Sequence, residues 1–366
     1  MAQDIQQEAV LLCTGGYDRI IKFWDAATGI CNSELVVQES QINCLGISPD
    51  KSQLAAGCNP VIKISTLDKN RKRSFFFFFV CSKTLTLEGH TNNIVSLGYP
   101  KNQKWLFSAS EDGTMKIWDP RTGVSSLERQ VNEHKRVMIS DAILHPNQGE
   151  ILCGDEKGTV SVWDLSANKI RVKFQPEGKA VPIRSISMHS LAKVLVVATH
   201  KGVCYAYKPS DGSSGSEDES KGLGDNVKTS LNMPKSLTVN VNANPSNKSN
   251  DKDSSNDMFT LLHKWQSHDS YVLKSVLSPD NKILATASSD TTIKLWNAEK
   301  NFEFIKTLKG HQMWVWDLAF SADSAYIVSV SSDRTARLWN IKSGTSIVEY
   351  GNNKKAVTCV ALNDAT

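Results

Sequence analysis

EDGTMKIWD, residues 111–119, is the clearest copy of the pattern that decides the fold of this chain. It places Asp112 in a tight turn and Trp118 six residues later, at the end of a strand that alternates polar and apolar side chains. The same spacing occurs at Asp18 to Trp24, Asp290 to Trp296 and Asp333 to Trp339. Four copies at one spacing indicate an internal repeat, so the fold is built from repeated structural units.

Three weaker copies fill the gaps between the four clear ones. Ser65, Trp163 and Tyr207 stand where the others have Trp, which gives seven units with a period of about 43 residues. Within a unit, a small-residue strand such as Leu106 to Ser110 precedes the Asp turn, and no stretch has helical periodicity. A four-stranded antiparallel sheet of this size cannot bury both faces alone. The pattern therefore predicts an all-β, seven-bladed propeller of the WD40 class.

The two ends of the chain together supply one unit. The N-terminal part begins with the second strand of a unit, Ala9 to Gly15, and the missing first strand appears as Ala356 to Leu362. We therefore predict that residues 1–366 form a single propeller whose blade 1 is closed by the C-terminal strand. Closure of this kind removes the free sheet edges that would otherwise invite aggregation.

Three units carry the same four residues at the same spacing, with 22 residues between a His and the turn Asp. The three tetrads are His90, Ser108, Asp112 and Trp118; His268, Thr286, Asp290 and Trp296; and His311, Ser329, Asp333 and Trp339. We predict that the indole N–H donates to the hydroxyl, the hydroxyl contacts the imidazole, and the Asp anchors the imidazole. Such a set resembles a Ser-His-Asp catalytic triad. Three copies at one spacing define a repeat, however, so we interpret the tetrads as structural.

Two intervals between units are longer than the period and predict insertions. The first, residues 70–82, contains the run Phe75 to Phe79, which we interpret either as a binding edge or as a sequence artefact. The second, residues 208–258, is rich in Ser, Asn, Gly, Asp and Lys, so we predict a disordered loop between blades 5 and 6. Ser214 and Ser216 each precede an acidic residue by three positions. This fits either a phosphorylation site for acidic-directed kinases or a solvated charge run.

Charge and hydropathy argue against nucleic acid and membrane partners. The net charge is only +4, and the Lys and Arg residues are scattered through the repeats instead of forming a stripe. The longest apolar run, Phe75 to Cys81, is far shorter than the ~20 residues of a membrane-spanning helix. The segment Met1 to Glu8 lacks an apolar signal core. We expect no export and no membrane insertion.

The residue types that most often carry chemistry show no catalytic or metal-binding arrangement. The eight cysteines include no Cys-x-x-Cys pair, which indicates reduced thiols in a cytosolic or nuclear protein. His145, His189, His200 and His263 lack the spacing of metal ligands. A glycine-rich phosphate loop and a nucleophile elbow are also missing from the sequence. We therefore expect no enzyme activity, no cofactor and no metal.

The innermost strands indicate where a protein partner binds. The fourth residue after the His of a unit is apolar and packs in the core. The third and fifth residues after the His (positions +3 and +5) differ in type from one blade to another. Blade 7 has Trp314 and Trp316 at the variable positions, and blade 2 has Gln41 and Asn43. Ring closure makes blades 7, 1 and 2 neighbours, so we predict one partner-binding patch from these four residues and Tyr17. The alternative is that the tryptophans fill the mouth of the central channel.

Several irregular stretches go beyond a generic WD repeat. They are Gly15 to Asp18 with Phe23-Trp24, Ser40 to Asn43, His145 to Glu150, Trp314 to Trp316 with Ala319 to Ser324, and Ala361 to Asp364. In these stretches, and over nearly all of residues 9–364 outside the insertions, the chain resembles the WD-repeat subunit of the TOR kinase complexes, also called the G-protein-beta-subunit-like protein.

The resemblance implies a non-catalytic scaffold subunit that binds and stabilises the kinase domain of the TOR kinase. Such a subunit belongs to both TOR complexes, supports growth control and actin cytoskeleton regulation, and is a monomeric component of a cytoplasmic hetero-complex found at endomembrane surfaces. In that family the kinase-facing residues match Gln41, Asn43, Trp314 and Trp316 of this sequence. The residues alone leave a second class open, a WD-repeat adaptor of a ubiquitin ligase, trafficking or chromatin complex.

Overall fold

A computed structural model describes residues 10–38, 40–71, 77–131, 136–176, 180–209 and 258–364. Every regular element in these ranges is a strand, and 28 strands form seven four-stranded antiparallel sheets. The prediction of an all-β propeller with seven blades is confirmed. The described ranges contain no helix that is long and apolar enough to cross a membrane.

Each blade runs from an inner strand to an outer strand. Blade 1 consists of β28 (Val357–Asn363), β1 (Leu11–Gly16), β2 (Ile20–Trp24) and β3 (Cys31–Val36); blade 2 of β4 (Cys44–Ile47), β5 (Gln53–Gly57), β6 (Ile62–Arg71) and β7 (Phe77–Leu87); blade 3 of β8 (Ile94–Gly98), β9 (Leu106–Ser110), β10 (Thr114–Trp118) and β11 (Ser125–Gln130). Blade 4 consists of β12 (Ile139–Leu144), β13 (Glu150–Asp155), β14 (Val160–Asp164) and β15 (Lys169–Phe174); blade 5 of β16 (Ile183–Met188), β17 (Leu195–Thr199), β18 (Val203–Pro209) and β19 (Phe259–Gln266). Blade 6 consists of β20 (Val272–Leu277), β21 (Ile283–Ser288), β22 (Ile293–Asn297) and β23 (Glu303–Leu308); blade 7 of β24 (Val315–Phe320), β25 (Tyr326–Ser331), β26 (Ala336–Asn340) and β27 (Ser346–Tyr350).

The inner strands contact one another in a closed circle. Going round the ring from blade 1, the order of contact is β28, β4, β8, β12, β16, β20, β24 and again β28. The hydrophobic core lies between the blades, because each sheet buries its faces against its neighbours. Trp118 of blade 3, for example, packs against Ile62 and Leu87 of blade 2. The third strand of one blade thereby covers the preceding blade.

Blade 1 is assembled from both ends of the chain, as predicted. Strand β1 pairs with β28 in a register that runs from Leu11 opposite Asn363 to Gly16 opposite Val357. The backbone N–H of Tyr17 donates to the carbonyl of Ala356 at 3.0 Å. A cross-blade bond also leaves this strand, from the hydroxyl of Thr358 to the carbonyl of Ile42 at 2.7 Å. The closing strand therefore joins blade 1 to blade 2.

The long hairpin of blade 2 contains most of the Phe run. Strands β6 and β7 continue beyond the usual length of a blade, and Phe77, Phe78 and Phe79 pair opposite Arg71, Asn70 and Lys69. The insertion predicted at residues 70–82 is thus largely an extension of the sheet, and residues 72–76 lie outside the described residues. The gain of regular ladder bonds explains why these residues continue the strands.

The second predicted insertion lies almost entirely outside the described residues, which include only 208, 209 and 258 of the range 208–258. Lys208 and Pro209 still belong to β18, where they pair with Thr260 and Phe259 of β19. The predictions of disorder for this segment and of phosphorylation at Ser214 and Ser216 remain predictions.

Candidate protein-interaction surface

The two indoles of blade 7 lie together but in different environments. Their ring centroids are 5.5 Å apart. Trp314 immediately precedes β24 and is 42% exposed, which is unusual for an indole. Trp316 is half-buried against the apolar cluster between blades 7 and 1, and its N–H donates to the hydroxyl of Ser332 at 2.7 Å. Trp314 is therefore the indole that is free to contact a partner, and Trp316 supports it.

The amide residues of blade 2 lie on the far side of blade 1. Ile42 between them is fully buried, which leaves Gln41 and Asn43 half-exposed on either side of it. The Asn43 amide makes two long hydrogen bonds, to the carbonyl of Cys58 at 3.5 Å and to the Asn93 side chain at 3.4 Å. Long bonds of this kind are easily exchanged for bonds to a partner. The ring order places blade 1 between the amides and the indoles, so the continuity of the predicted patch depends on the residues of blade 1 in this gap.

Blade 1 contributes the residues that bridge this gap. Ala356 and Thr358 flank the buried Val357 in β28, just as Trp314 and Trp316 flank Val315 in β24. Tyr17 follows strand β1, is 41% exposed and is bonded to Ala356 through its backbone. Tyr17 therefore lies in the blade between the indoles and the amides.

A row of aromatic rings extends the surface in a direction that sequence reasoning missed. Tyr271, which precedes β20 in blade 6 and is 40% exposed, contacts Trp314 edge-on with a centroid distance of 6.3 Å. Its other side stacks on His200 of blade 5 at 3.8 Å. The signal was available, because Tyr271 has the same position relative to β20 as Trp314 has relative to β24. The aromatic surface therefore spans blades 5, 6 and 7.

An arginine continues this row at its blade 5 end. The Nε–H of exposed Arg184 donates to Nδ1 of His200 at 3.0 Å, which fixes the neutral imidazole with its proton on Nε2. Burial lowers the pKa of His200, and the positive charge of Arg184 lowers it further. The neutral ring is the form that suits stacking against Tyr271 in an apolar surface.

The three tetrads have closely similar geometry. The imidazole Nδ1 lies 2.7–2.8 Å from the turn Asp in each of them, in the pairs His90–Asp112, His268–Asp290 and His311–Asp333. The imidazole Nε2 lies 2.7–2.8 Å from the hydroxyl of Ser108, Thr286 and Ser329. The indole N–H of Trp118, Trp296 and Trp339 donates to the same hydroxyls at 2.8, 3.0 and 2.8 Å.

The electrostatics of the tetrads are those of a fixed structural network. Burial raises the pKa of Asp112, but hydrogen bonds from His90, Thr114 and the Thr91 backbone outweigh it and hold the pKa well below its usual range. Asp290 and Asp333 show the same balance. The hydroxyl that a triad would use as a nucleophile is buried and already accepts a bond from an indole. A substrate cannot reach that oxygen, so the geometry supports the structural interpretation.

A partly buried charge cluster on the inner strands was not anticipated from the sequence. The Lys274 ammonium of blade 6 lies 3.2 Å from both carboxylate oxygens of Asp141 in blade 4. Asp141 also accepts a bond from the hydroxyl of Ser185 in blade 5, which lies between the two. Burial lowers the pKa of Lys274, yet Asp141 and Asp317 outweigh burial and raise it. The cluster therefore connects the inner strands of blades 4, 5 and 6 through side-chain contacts.

Asp317 ties the same cluster to the closing strand. Its carboxylate accepts hydrogen bonds from the backbone N–H of Leu318 and from that of Val360 in β28, at 2.9 and 3.0 Å. Burial raises the pKa of Asp317, and the charge of Lys274 opposes that increase. A carboxylate held by two backbone donors and a nearby ammonium is well satisfied despite its burial.

The cysteines and the remaining histidines form no metal site within the described ranges. No group of three or more His, Cys, Asp or Glu residues there is placed to hold a metal ion. All eight cysteines are described, and all are free thiols. Burial, with the nearby Asp155 charge, raises the pKa of Cys153 to about 12, which makes this thiol unreactive.

Comparison with known proteins gives two findings. The family model for the WD domain, G-beta repeat, matches residues 81–119, 259–297 and 302–340, and each match ends just after the Trp of one of the three tetrads. A fission yeast protein, the target of rapamycin complex subunit wat1 of Schizosaccharomyces pombe, is 40% identical over 98% of this chain and 97% of its own length.

Two further relatives are matched over nearly their whole length. The target of rapamycin complex subunit LST8 of Saccharomyces cerevisiae is 34% identical over 97% of this chain and 99% of its own length. The mouse protein of the same name is 33% identical over 99% of this chain and 97% of its own length.

Proposed function

Because this chain belongs to the LST8 and wat1 family of target of rapamycin complex subunits, we propose that it is itself a subunit of a target of rapamycin kinase complex. Its role there is that of a scaffold that binds the kinase domain and stabilises the active conformation. The exposed Trp314, buttressed by Trp316 and Tyr271, is the observation that carries the assignment of the binding surface. A rigid, exposed aromatic group surrounded by polar residues is the usual composition of an interface hot spot.

The scaffold role is non-catalytic. The sets of residues that imitate a catalytic triad are repeated three times, and their hydroxyl oxygens are buried beneath indole rings. A propeller of this kind acts through its faces, and its rigid ring allows several partners to be held at fixed positions. We place its action in growth control and in regulation of the actin cytoskeleton. The complex is expected in the cytoplasm and at endomembrane surfaces.

The direct test is recovery of the kinase with the tagged protein. A tagged chain expressed with a target of rapamycin kinase should bring that kinase down, as identified by mass spectrometry. Trp314→Ala should reduce the recovered kinase about tenfold or more, because truncation of a hot-spot aromatic residue typically has this effect. Trp316→Ala with Asn43→Ala should release the kinase as well, and a thermal melt must accompany this variant because Trp316 is partly in the core.

Met138→Ala is the matched control for Trp314→Ala. Met138 precedes β12 in blade 4 and is 42% exposed, so it has the same position and exposure as Trp314 on the other side of the ring. Its removal should leave kinase recovery unchanged. Recovery of ubiquitin ligase, coat or chromatin subunits instead of the kinase would overturn the proposal.

A further inference from the structure

The tight turn between the second and third strands of a blade has a backbone position that favours glycine. In blades 3, 4 and 5 this position is Gly113, Gly158 and Gly202, with φ of 83°, 79° and 79°. In blades 1, 6 and 7 the equivalent residues are Arg19, Thr291 and Arg334, with φ of 64°, 74° and 71°. A side chain in this left-handed conformation is strained by its Cβ atom. Two of the three strained positions therefore hold an arginine, and these two blades adjoin each other.

Four exposed cations surround the junction between blades 7 and 1. Besides Arg19 and Arg334, these are Lys354 and Lys355 in the loop that leads into β28. Hydrogen bonds connect their segments: the Asn353 side chain donates to the carbonyl of Arg334 at 2.9 Å, and the loop reaches Tyr17 through Ala356 at 3.0 Å. We call these four residues, Arg19, Arg334, Lys354 and Lys355, the basic rim.

The basic rim lies beside the exposed indole of blade 7. The backbone N–H of Ser332, two residues before Arg334, donates to the carbonyl of Trp314 at 3.0 Å. On the other side of the loop, Arg19 lies two residues beyond the exposed Tyr17. The four cations and the two aromatic residues therefore occupy the same face of the propeller.

The cations of the basic rim have no ion pair with any described carboxylate. Neighbouring cations on the sides of the same blades are paired, such as Lys22 with Glu34 at 3.4 Å and Arg337 with Glu349 at 2.6 Å. The paired cations lie along the strands, whereas the cations of the basic rim lie in turns and a loop on the open face. An unpaired cluster of like charges repels itself, and a partner that bears the opposite charge removes this repulsion.

We propose that the basic rim binds an acidic segment of the protein partner whose adjoining apolar side chain packs on Trp314. This inference rests on the proposed function and adds the chemistry of the partner segment, which is a run of Asp or Glu next to an apolar residue. The Nη1–H of Arg19 donates a long, exposed hydrogen bond to the carbonyl of Gln38 at 3.4 Å, and such a bond is easily exchanged for a charge-assisted bond to a carboxylate.

The first experiment measures binding of the kinase domain of a target of rapamycin kinase at about 50 and about 300 mM salt. Wild-type affinity should fall as salt increases, because exposed charge pairs are screened. The variant Lys354→Ala, Lys355→Ala, Arg19→Gly, Arg334→Gly should bind about tenfold or more weakly at low salt and lose most of the salt dependence. Trp314→Ala should weaken binding at both salt concentrations and retain the salt dependence.

The second experiment separates binding from stability. Arg19→Gly with Arg334→Gly should leave the melting temperature unchanged or raise it, while binding weakens, because glycine relieves the strain that arginine causes. Thr291→Gly is the matched control, since it changes the same turn position in blade 6 without removing a charge. Its binding should equal that of the wild type. A lowered melting temperature of the arginine variant would show that these side chains serve the fold.

A direct probe makes the inference testable without the kinase. A fluorescent glutamate-rich peptide with a central leucine should bind the wild-type protein and should bind the four-residue variant weakly. Absence of kinase binding with intact peptide binding would overturn the proposed function alone. If the wild type and the four-residue variant bind the peptide equally well, or bind the kinase domain equally well, the proposed role of the basic rim is overturned. Preference for an oligonucleotide or for phosphatidylserine vesicles over the peptide would overturn it too.

Discussion

Blades 7 and 2 are built on the same plan, yet only blade 7 has the polar network. By strand register, Ser65 of blade 2 stands opposite Leu54, just as Trp339 of blade 7 stands opposite Ile327. The four tetrad positions of blade 7 are occupied by His311, Ser329, Asp333 and Trp339, whereas the first, second and fourth correspond to Gln38, Ala56 and Ser65 in blade 2. An open cavity of about 210 Å³, lined by Leu35, Lys63, Ser65 and Thr84 among others, lies at the place of the missing indole.

Blade 2 nevertheless keeps four strands in regular register. Leu54 and Ile62 are fully buried in it, and Val37 takes the place of the glycine that lies under the indole in blades 3 and 7. Burial between blades is therefore sufficient to form a blade. In blade 7 the tetrad adds buried hydrogen bonds, and its Asp333 also accepts a bond from the turn backbone.

The largest effect should come from removing the strand on which both blades depend. Strand β28 contacts β24 of blade 7 and β4 of blade 2, and it buries Val357, Cys359 and Val360. Deletion of residues 356–366 should cost on the order of 5 kcal/mol or more of the free energy of unfolding, which is comparable to the stability of a typical domain. Differential scanning calorimetry should show the wild-type transition abolished. A truncated protein that melts cooperatively at the wild-type temperature would refute the closure of the ring by this strand.

The second effect contrasts equivalent positions of the two blades. His311→Ala removes the central group of the blade 7 tetrad and leaves Ser329 and Asp333 without their partner, so we expect a loss of about 2–3 kcal/mol. Gln38→Ala, at the same position of blade 2, removes an exposed side chain and should change stability by less than about 0.5 kcal/mol. Urea denaturation of both variants measures the difference. Equal effects would mean that the tetrad contributes no more than an ordinary surface residue.

The third prediction concerns the loss of unfolding free energy at acidic pH. Burial raises the pKa of Asp290, but bonds from His268 and Thr292 outweigh it and hold the pKa well below its unfolded value of about 3.9. The stability from this carboxylate is therefore complete above about pH 5 and declines as the pH falls below about 4. Asp290→Asn should flatten the fall in unfolding free energy between about pH 5 and pH 3 by about 1 kcal/mol. The exposed Glu303→Gln controls for the lost charge, and identical slopes for wild type and Asp290→Asn would contradict the network.

The smallest effect should be a gain in stability from a substitution in blade 2. Ser65→Val adds apolar volume at the edge of the cavity and suits a β-strand, so we expect a gain of up to about 1 kcal/mol in the unfolding free energy. Thermal melts of the wild type and the variant measure it. Ser65→Thr is the matched control, because a threonine side chain has nearly the same shape as valine. It also keeps the hydroxyl that lies 3.3 Å from the hydroxyl of Thr84. A gain for Thr with a loss for Val would show that the cavity is hydrated and prefers polar walls.

Much of the fold was predictable because its determinants are local and repeated. The spacing of Asp112 and Trp118 defines one turn and one strand, and seven approximate copies fix the number of blades. The closing strand was predictable from a unit that lacked its first strand. The bonds within a tetrad follow from that same spacing, because all four residues lie in one blade.

The interaction surface was harder to predict because it depends on contacts between blades. The burial of Trp316 depends on its contact with the cluster between two blades and on Ser332, which no pattern in its own strand reveals. The stack of Tyr271 on His200 and the Lys274–Asp141 pair also join residues of different blades. The Phe run was interpreted as an insertion, because hydrophobic pattern alone does not show whether a hairpin extends.

The position of β28 in the chain has a consequence for biosynthesis. Among the described strands β1 is the first in chain order and β28 is the last, so the edge of β1 that β28 covers is synthesised long before its partner. During synthesis the nascent polypeptide therefore carries an unpaired edge, which is the kind of edge that associates with other chains. Translation that stops before β28 would release a molecule with six complete sheets and one incomplete sheet.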